Sequence, residues 1–210
     1  MQTNHVVLLL CSIFCFVKSD PDPIYDYCVA DTKNPRNLFL NEVPCINPDH
    51  ASSSHFATSA LSEPGDGVDK QRFSVTFTDV NNLPGLNTFG LVLARTDIAA
   101  NGLVPPHSHP RASELVIVLE GLLLVGFVDS SNRIYRQQLS PGDCFVIPKS
   151  LVHFLYNVNS DKPAVALSGL NSQNPGGQRP SLARFRSYSD PTFPVGNLGE
   201  WDYDQWSGLT

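Results

Sequence analysis

From Pro105 to Glu114 the chain reads Pro-Pro-His-Ser-His-Pro-Arg-Ala-Ser-Glu, which places two imidazoles and a carboxylate within eight residues. His107 and His109 are two apart, so on an extended strand both rings leave the same face, as two ligands of one ion require. Glu114 lies at odd offsets from both histidines and would fall on the opposite face of a straight strand. Pro110 removes a ladder donor and lets the chain bend, so Glu114 can open the next strand. His153, in the apolar stretch Leu-Val-His-Phe-Leu-Tyr, offers a fourth ligand from a partner strand. A single histidine such as His50 or His55 is ordinarily packed or solvated, but these four side chains together point to a metal ion. Three imidazoles and a carboxylate without a thiolate suit several divalent ions, and intrinsic affinity alone ranks copper and zinc above manganese.

The elements that must position these side chains read as short β-strands separated by turn residues. Residues 72–78 alternate cleanly, 88–98 form a longer strand, and 114–120 carry Glu114. Residues 122–128 and 133–138 form a hairpin across Asp129-Ser-Ser-Asn132, and 144–147, 151–158 and 163–170 continue the series. Such spacing predicts an all-β sandwich or barrel. Residues 20–64 are rich in Pro, Asn, Asp and Ser and read as an arm, with a short helix possible over 51–61 despite its serines. Glu63-Pro-Gly-Asp-Gly67 is a turn. No repeat or linker marks a second domain, and 210 residues suffice to bury a core.

Residues 1–19 read as a secretory signal peptide, with an apolar run of twelve from Val6 to Val17 and Val17-Lys18-Ser19 before a cut at Asp20. A bilayer span would need about 20 apolar residues, and nothing later in the chain is apolar enough. Losing Lys18 takes the 14 basic residues to 13 against 20 acidic ones, a net of −7. An acidic chain is a poor partner for nucleic acid or an anionic membrane, so neither is expected. Cys11 and Cys15 leave with the leader. Cys144, between Asp143 and Phe145, reads as a small buried apolar residue. No Asn-x-Ser/Thr sequon occurs anywhere in the chain, so no N-linked glycan is expected.

The spacings resemble both motifs of the cupin superfamily, and the wording of the first resembles the germin-like proteins of plants. His-x-His, four residues, Glu, six residues and Gly stand here as His107, His109, Glu114 and Gly121. The second motif stands as Gly142, Pro148, His153 and Asn157. The germin-type PPHxHPRA spans 105–112, and the Asn-Ser-Gln-Asn-Pro-Gly tail 171–176. Asn101 and Ser150 stand where two family glycines are expected; Asn tolerates positive φ readily, Ser less so.

The resemblance implies a single jelly-roll barrel over 65–194, metal inside, after an arm (20–64) tied down by a Cys28–Cys45 disulfide. It implies manganese as the cofactor, held by His107, His109, Glu114 and His153, with positions left open for water or a small anion. Arg111 belongs to the family's turn and is expected to be structural, as is Asn157, which is also a candidate donor supporting the site from behind its ligands. Superoxide dismutation or oxidation of oxalate would be the activity, in a protein of the cell wall or apoplast. Oxalate-oxidising germins resemble a pocket with two asparagine donors, and the aligned positions here are Ala94 and Val104, which cannot donate; superoxide is therefore the expected substrate. The rival is a non-enzymatic extracellular wall-associated or reservoir protein. Trimers or hexamers are implied, but the tail 195–210 lacks a helical period, so a weaker homo-oligomer is expected.

Overall fold

Short alternating or continuously apolar stretches separated by turns form nine antiparallel strands among the residues that a computed structural model describes, 26–33, 43–66, 68 and 72–179. The leader 1–19 and the tail 195–210 lie outside the described residues. The strands are β1 (Phe73–Thr78), β2 (Val92–Ile98), β3 (Leu103–His107), β4 (Glu114–Glu120), β5 (Leu123–Val128), β6 (Ile134–Leu139), β7 (Cys144–Ile147), β8 (Val152–Asn157) and β9 (Ala164–Leu170). One sheet has the order β1-β2-β9-β4-β7 and the other β3-β8-β5-β6. Strands next to each other in sequence repeatedly lie in different sheets, which makes the jelly roll expected from the motifs.

The two inner faces meet in a core of Phe73, Ile98, Val104, Val116, Val118, Leu123, Val125, Leu139, Ile147, Leu155, Ala164 and Ala166. Register decides which residues face it. Glu114 pairs with Ile147 and Leu170, and Val116 with Phe145 and Ser168, all on the inner side, whereas Leu115 pairs with Val146 and Ile117 with Cys144 on the outer side. Slipping β4 by one residue would turn Glu114 out of the barrel.

Cys28 and Cys45 are disulfide-bonded, and the arm around them is stitched down by main-chain bonds. Asp31 N–H donates to Pro44 O, Ile46 N–H to Val29 O and Ala30 N–H to Pro84 O. Buried Asn87 adds its amide, donating to Val43 O at 2.6 Å. Closing a loop with a sequence separation of 17 stabilises the fold by about 3 kcal/mol in the chain-entropy account.

Four expectations change. Residues 51–61 hold only a 3-10 turn, Ser53–Phe56, because Ser52 caps the turn through His55 and extended backbone at Ala57 ends it. The strand expected over 88–98 starts at Val92, since Thr88 and Gly90 both have positive φ, which interrupts regular extended backbone. β3 ends at His107, so His109 stands just beyond it. Cys144 is exposed rather than buried: one-residue alternation from inward-facing Phe145 puts its thiol on the outer face.

Both positions where glycine was missed adopt positive φ, Asn101 at 55° and Ser150 at 67°. Ser150 offsets that backbone cost with its own side chain, whose hydroxyl donates to Pro110 O at 3.1 Å, a bond glycine could not make.

Candidate metal centre

β3 delivers His107 and β8 delivers His153, opposite each other in the ladder. Pro105 and Pro106 interrupt that ladder, and the register shifts between Val104 and His107 because proline offers no N–H. Past the strand, Ser108 pairs with Gln178 through two main-chain bonds, so the chain stays extended and His109 comes round to join His107. The turn that follows presents Glu114 at the start of β4. The four side chains singled out by spacing thus converge from three strands and one connecting segment.

The nitrogen atoms of His107, His109 and His153 available to an ion lie within 4.8 Å of one another. Glu114 Oε2 is 3.2 Å from His153 Nε2 and 3.5 Å from His109 Nε2. His153 is only 1% exposed; His109 and Glu114 are also buried, and His107 is half-buried.

Each imidazole is oriented by a main-chain carbonyl. His107 Nδ1 lies 2.8 Å from Pro105 O, His153 Nδ1 3.0 Å from Leu151 O, and His109 Nδ1 2.6 Å from Gly176 O. A carbonyl can only accept, so each Nδ1 carries a proton, and in the neutral ring Nε2 is left with the lone pair that a metal would take. At His153 that lone pair faces a carboxylate oxygen. Neither His153 Nε2 nor Glu114 Oε2 has a hydrogen-bond partner, although both are buried. With the ring neutral these are two buried acceptors in contact, a conflict that a cation between them, a proton or a metal ion, removes. The donor set therefore fits a metal ion.

Burial, then the neighbouring rings of His153 and His109, hold the His107 imidazole well below its usual range. Burial lowers His109 too, against the pull of Glu114. Burial pushes the Glu114 carboxyl up, but the ring of His153, the hydroxyl of Ser168 and the ring of His107 outweigh it and hold it at about 2. At neutral pH His107 and His109 are therefore neutral imidazoles and Glu114 an ionised carboxylate, the protonation states that a metal requires.

Asn157 does not support the ligands. It lies four residues along β8 from His153, roughly 13 Å at strand spacing. Its amide donates to Ile98 O, Ala99 O and Lys162 O, and its carbonyl oxygen accepts from Asn159. Its whole hydrogen-bonding capacity is spent on two turns. Ala94 and Val104 are buried on inward-facing positions of β2 and β3, Ala94 directly opposite Ser168. Arg111 is exposed and reaches the segment 171–178, with its guanidinium on Asn174. Sequence reasoning missed Pro105, Leu151 and Gly176 as orienting groups, because a main-chain carbonyl leaves no trace in residue type.

Known proteins resemble this chain in both sequence and fold. Residues 59–194 match the Cupin family. Germin-like protein subfamily 1 member 1 of Arabidopsis thaliana is 51% identical over 193 residues, covering 91% of this chain and 88% of that protein. Peruvianin-I, described as a cysteine peptidase from Thevetia peruviana latex, is 42% identical with a TM-score of 0.71, covering 76% of this chain and 96% of its own. Recombinant oxalate oxidase in complex with glycolate is 38% identical with a TM-score of 0.70, covering 75% of this chain and 79% of its own.

Proposed function

This chain belongs to the germin-like proteins of the cupin family, and from that premise we propose that it is a secreted, manganese-dependent protein of the plant cell wall that dismutes superoxide and barely oxidises oxalate. The observation that carries the reading is the pair of buried acceptors, His153 Nε2 and Glu114 Oε2, 3.2 Å apart with no hydrogen donor between them. His107, His109, His153 and Glu114 would hold the ion. Manganese bound there can lose and regain one electron, which is the chemistry that disproportionates superoxide. The surrounding residues do the rest: main-chain carbonyls aim three Nε2 atoms inward, Glu114 supplies negative charge, and the apolar barrel keeps bulk water out.

Substrate choice follows from what the pocket lacks. A relative was crystallised with glycolate as an oxalate oxidase, and oxalate in a desolvated site needs hydrogen-bond donors for both carboxylates. Ala94 and Val104 supply none. Losing two donors to a dianion costs about 1.5–3 kcal/mol each, so oxalate binds a hundredfold or more too weakly. Superoxide, a small monoanion, needs little more than an open position at the metal. Secretion is supported by the Cys28–Cys45 bridge, which persists in oxidising compartments, together with the leader sequence.

Peptidase chemistry of the kind named for peruvianin-I would require an activated thiol. Cys144 is the free cysteine among the described residues, and it lies on the outer face of β7, opposite to the imidazoles inside. Its thiol is directed at Gly142 O, 3.9 Å away, rather than at an imidazole, so Cys144 is not placed as an activated nucleophile. The same outer face carries exposed Leu93, Leu115, Leu119 and Val146, the last 61% exposed, and we take a second copy of this chain as its partner, in a homo-oligomer weaker than is usual for the family.

Parallel assays on manganese-loaded protein test this reading. Superoxide should be consumed catalytically while oxalate yields negligible hydrogen peroxide. Robust peroxide production from oxalate would reverse the ranking, and silence in both assays would favour a non-enzymatic wall or reservoir protein.

A further inference from the structure

The three imidazoles of the cluster are not held alike. His107 and His153 each place Nδ1 on a carbonyl two residues back along the chain, within β3 for His107 and just before β8 for His153, so the local backbone itself fixes the ring. His109 stands past the end of β3 and places Nδ1 on Gly176, 67 residues away and outside any strand. Its aim therefore depends on where the segment 171–178 lies. If that segment shifted, His109 alone of the three would lose its orienting acceptor.

What holds the crest of the segment is Arg111. Its Nε donates to Asn174 O at 2.6 Å and its Nη2 to Asn174 Oδ1 at 2.7 Å, while its own N–H donates to Pro175 O at 3.1 Å. Gly176 presses directly on the guanidinium: a Cβ there would lie 2.8 Å from Nη2, and its φ of +69° also disfavours any side chain. The absence of a side chain at 176 lets the guanidinium close on the crest, and the crest's carbonyl then reaches His109. Ser150 fixes the same ligand from its other side, its N–H donating to His109 O at 3.1 Å.

We propose that Arg111 is a positioning residue for His109: by locking Asn174 it holds the Gly176 carbonyl on Nδ1 and keeps Nε2 aimed at the metal cluster. The proposal deepens the metal reading above and rests on it for its metal arm alone. Groups that orient a metal-bound imidazole are worth tenfold to a hundredfold in metal affinity. Arg111→Ala should weaken manganese binding by that factor. Asn174→Ala, which removes only one leg of the clamp, should weaken it less, and Arg111→Lys should rescue only partly because an ammonium cannot reproduce the guanidinium fork. Arg111 is exposed, so none of these changes opens a cavity in the core.

Two measurements decide it. Calorimetric titration with manganese gives the affinities, and nitrogen NMR of the imidazoles in metal-free protein reports whether His109 keeps its proton on Nδ1. The expected result is a single Nδ1–H tautomer for His109 in the unmodified protein and a mixture in Arg111→Ala, with His107 and His153 unchanged in both. An unchanged His109 tautomer and unchanged manganese affinity in Arg111→Ala would overturn the proposal. If the unmodified protein bound no manganese, the metal reading would fall, and the NMR comparison would still decide the role of Arg111.

Discussion

Replacing Asn157 by Ala separates support of the fold from support of the site, because the side chain is fully buried and touches no ligand. Its two amide hydrogens serve three carbonyls, Ile98 O and Ala99 O at 3.1 Å and Lys162 O at 2.8 Å, and its oxygen accepts from Asn159 N–H at 3.0 Å. Truncation strands the buried Ile98 carbonyl at the end of β2 and removes the ties to Ala99 O and Lys162 O in the flanking turns, and an orphaned buried group costs about 1–3 kcal/mol. Water entering the gap recovers part of the loss, so a destabilisation of about 3 kcal/mol is the working figure, a large share of the 5–15 kcal/mol that holds a domain together. With an m-value of about 2 kcal/mol per molar urea, the unfolding midpoint should fall by about 1.5 M. Urea titration of metal-free protein measures this, and manganese titration at low temperature, where the variant remains folded, should give unchanged affinity. A midpoint shift below about 0.5 M, or a tenfold loss of metal affinity in the folded variant, would refute the reasoning.

Other expectations can be checked on the same material. Ser150→Gly trades relief of positive φ against loss of the bond to Pro110 O, so denaturant unfolding should move it by less than about 1 kcal/mol, whereas Ser150→Ala keeps the strained backbone, loses the bond and should cost about 1 kcal/mol. In native, unreduced protein one thiol per chain should react with iodoacetamide, and peptide mapping should place the label on Cys144; label on Cys28 or Cys45 would contradict the bridge. The pH dependence has a definite sign. His107 and His109 bind protons less readily folded than at the ordinary 6.5, so the unfolded state gains protons first and metal-free protein should lose stability as pH falls through 6.5. Glu114, held at about 2 against an ordinary 4.5, adds a further loss as pH falls from 4.5 toward 2. A melting temperature of metal-free protein that rises on acidification across these windows would show that the buried cluster is charged differently.

The convergence of three imidazoles and Glu114 was legible in the sequence because its information lies in side-chain type and spacing: His107 and His109 two apart, a proline before Glu114, and His153 in an apolar strand. Strand positions were equally legible where alternation was strict, as in 72–78, or where an apolar run was bounded by polar or turn residues, as in 114–120 and 144–147. What escaped was carried by the main chain or by tertiary register. The carbonyls of Pro105, Leu151 and Gly176 have no residue signature, and the outward turn of Cys144 depends on pairing with Ile117 rather than on its own polarity. Asn157 sits in a metal-binding motif, yet strand geometry places it about 13 Å from the nearest ligand on its strand, a distance that the linear motif conceals.

The most direct test of the account is the metal content of His153→Ala beside that of the unmodified protein, both loaded with manganese, desalted and measured by inductively coupled plasma mass spectrometry. The account predicts about one ion per chain in the unmodified protein and essentially none in the variant, because loss of one imidazole leaves too few ligands to retain a divalent ion. Full occupancy in the variant, with its fold intact, would contradict it.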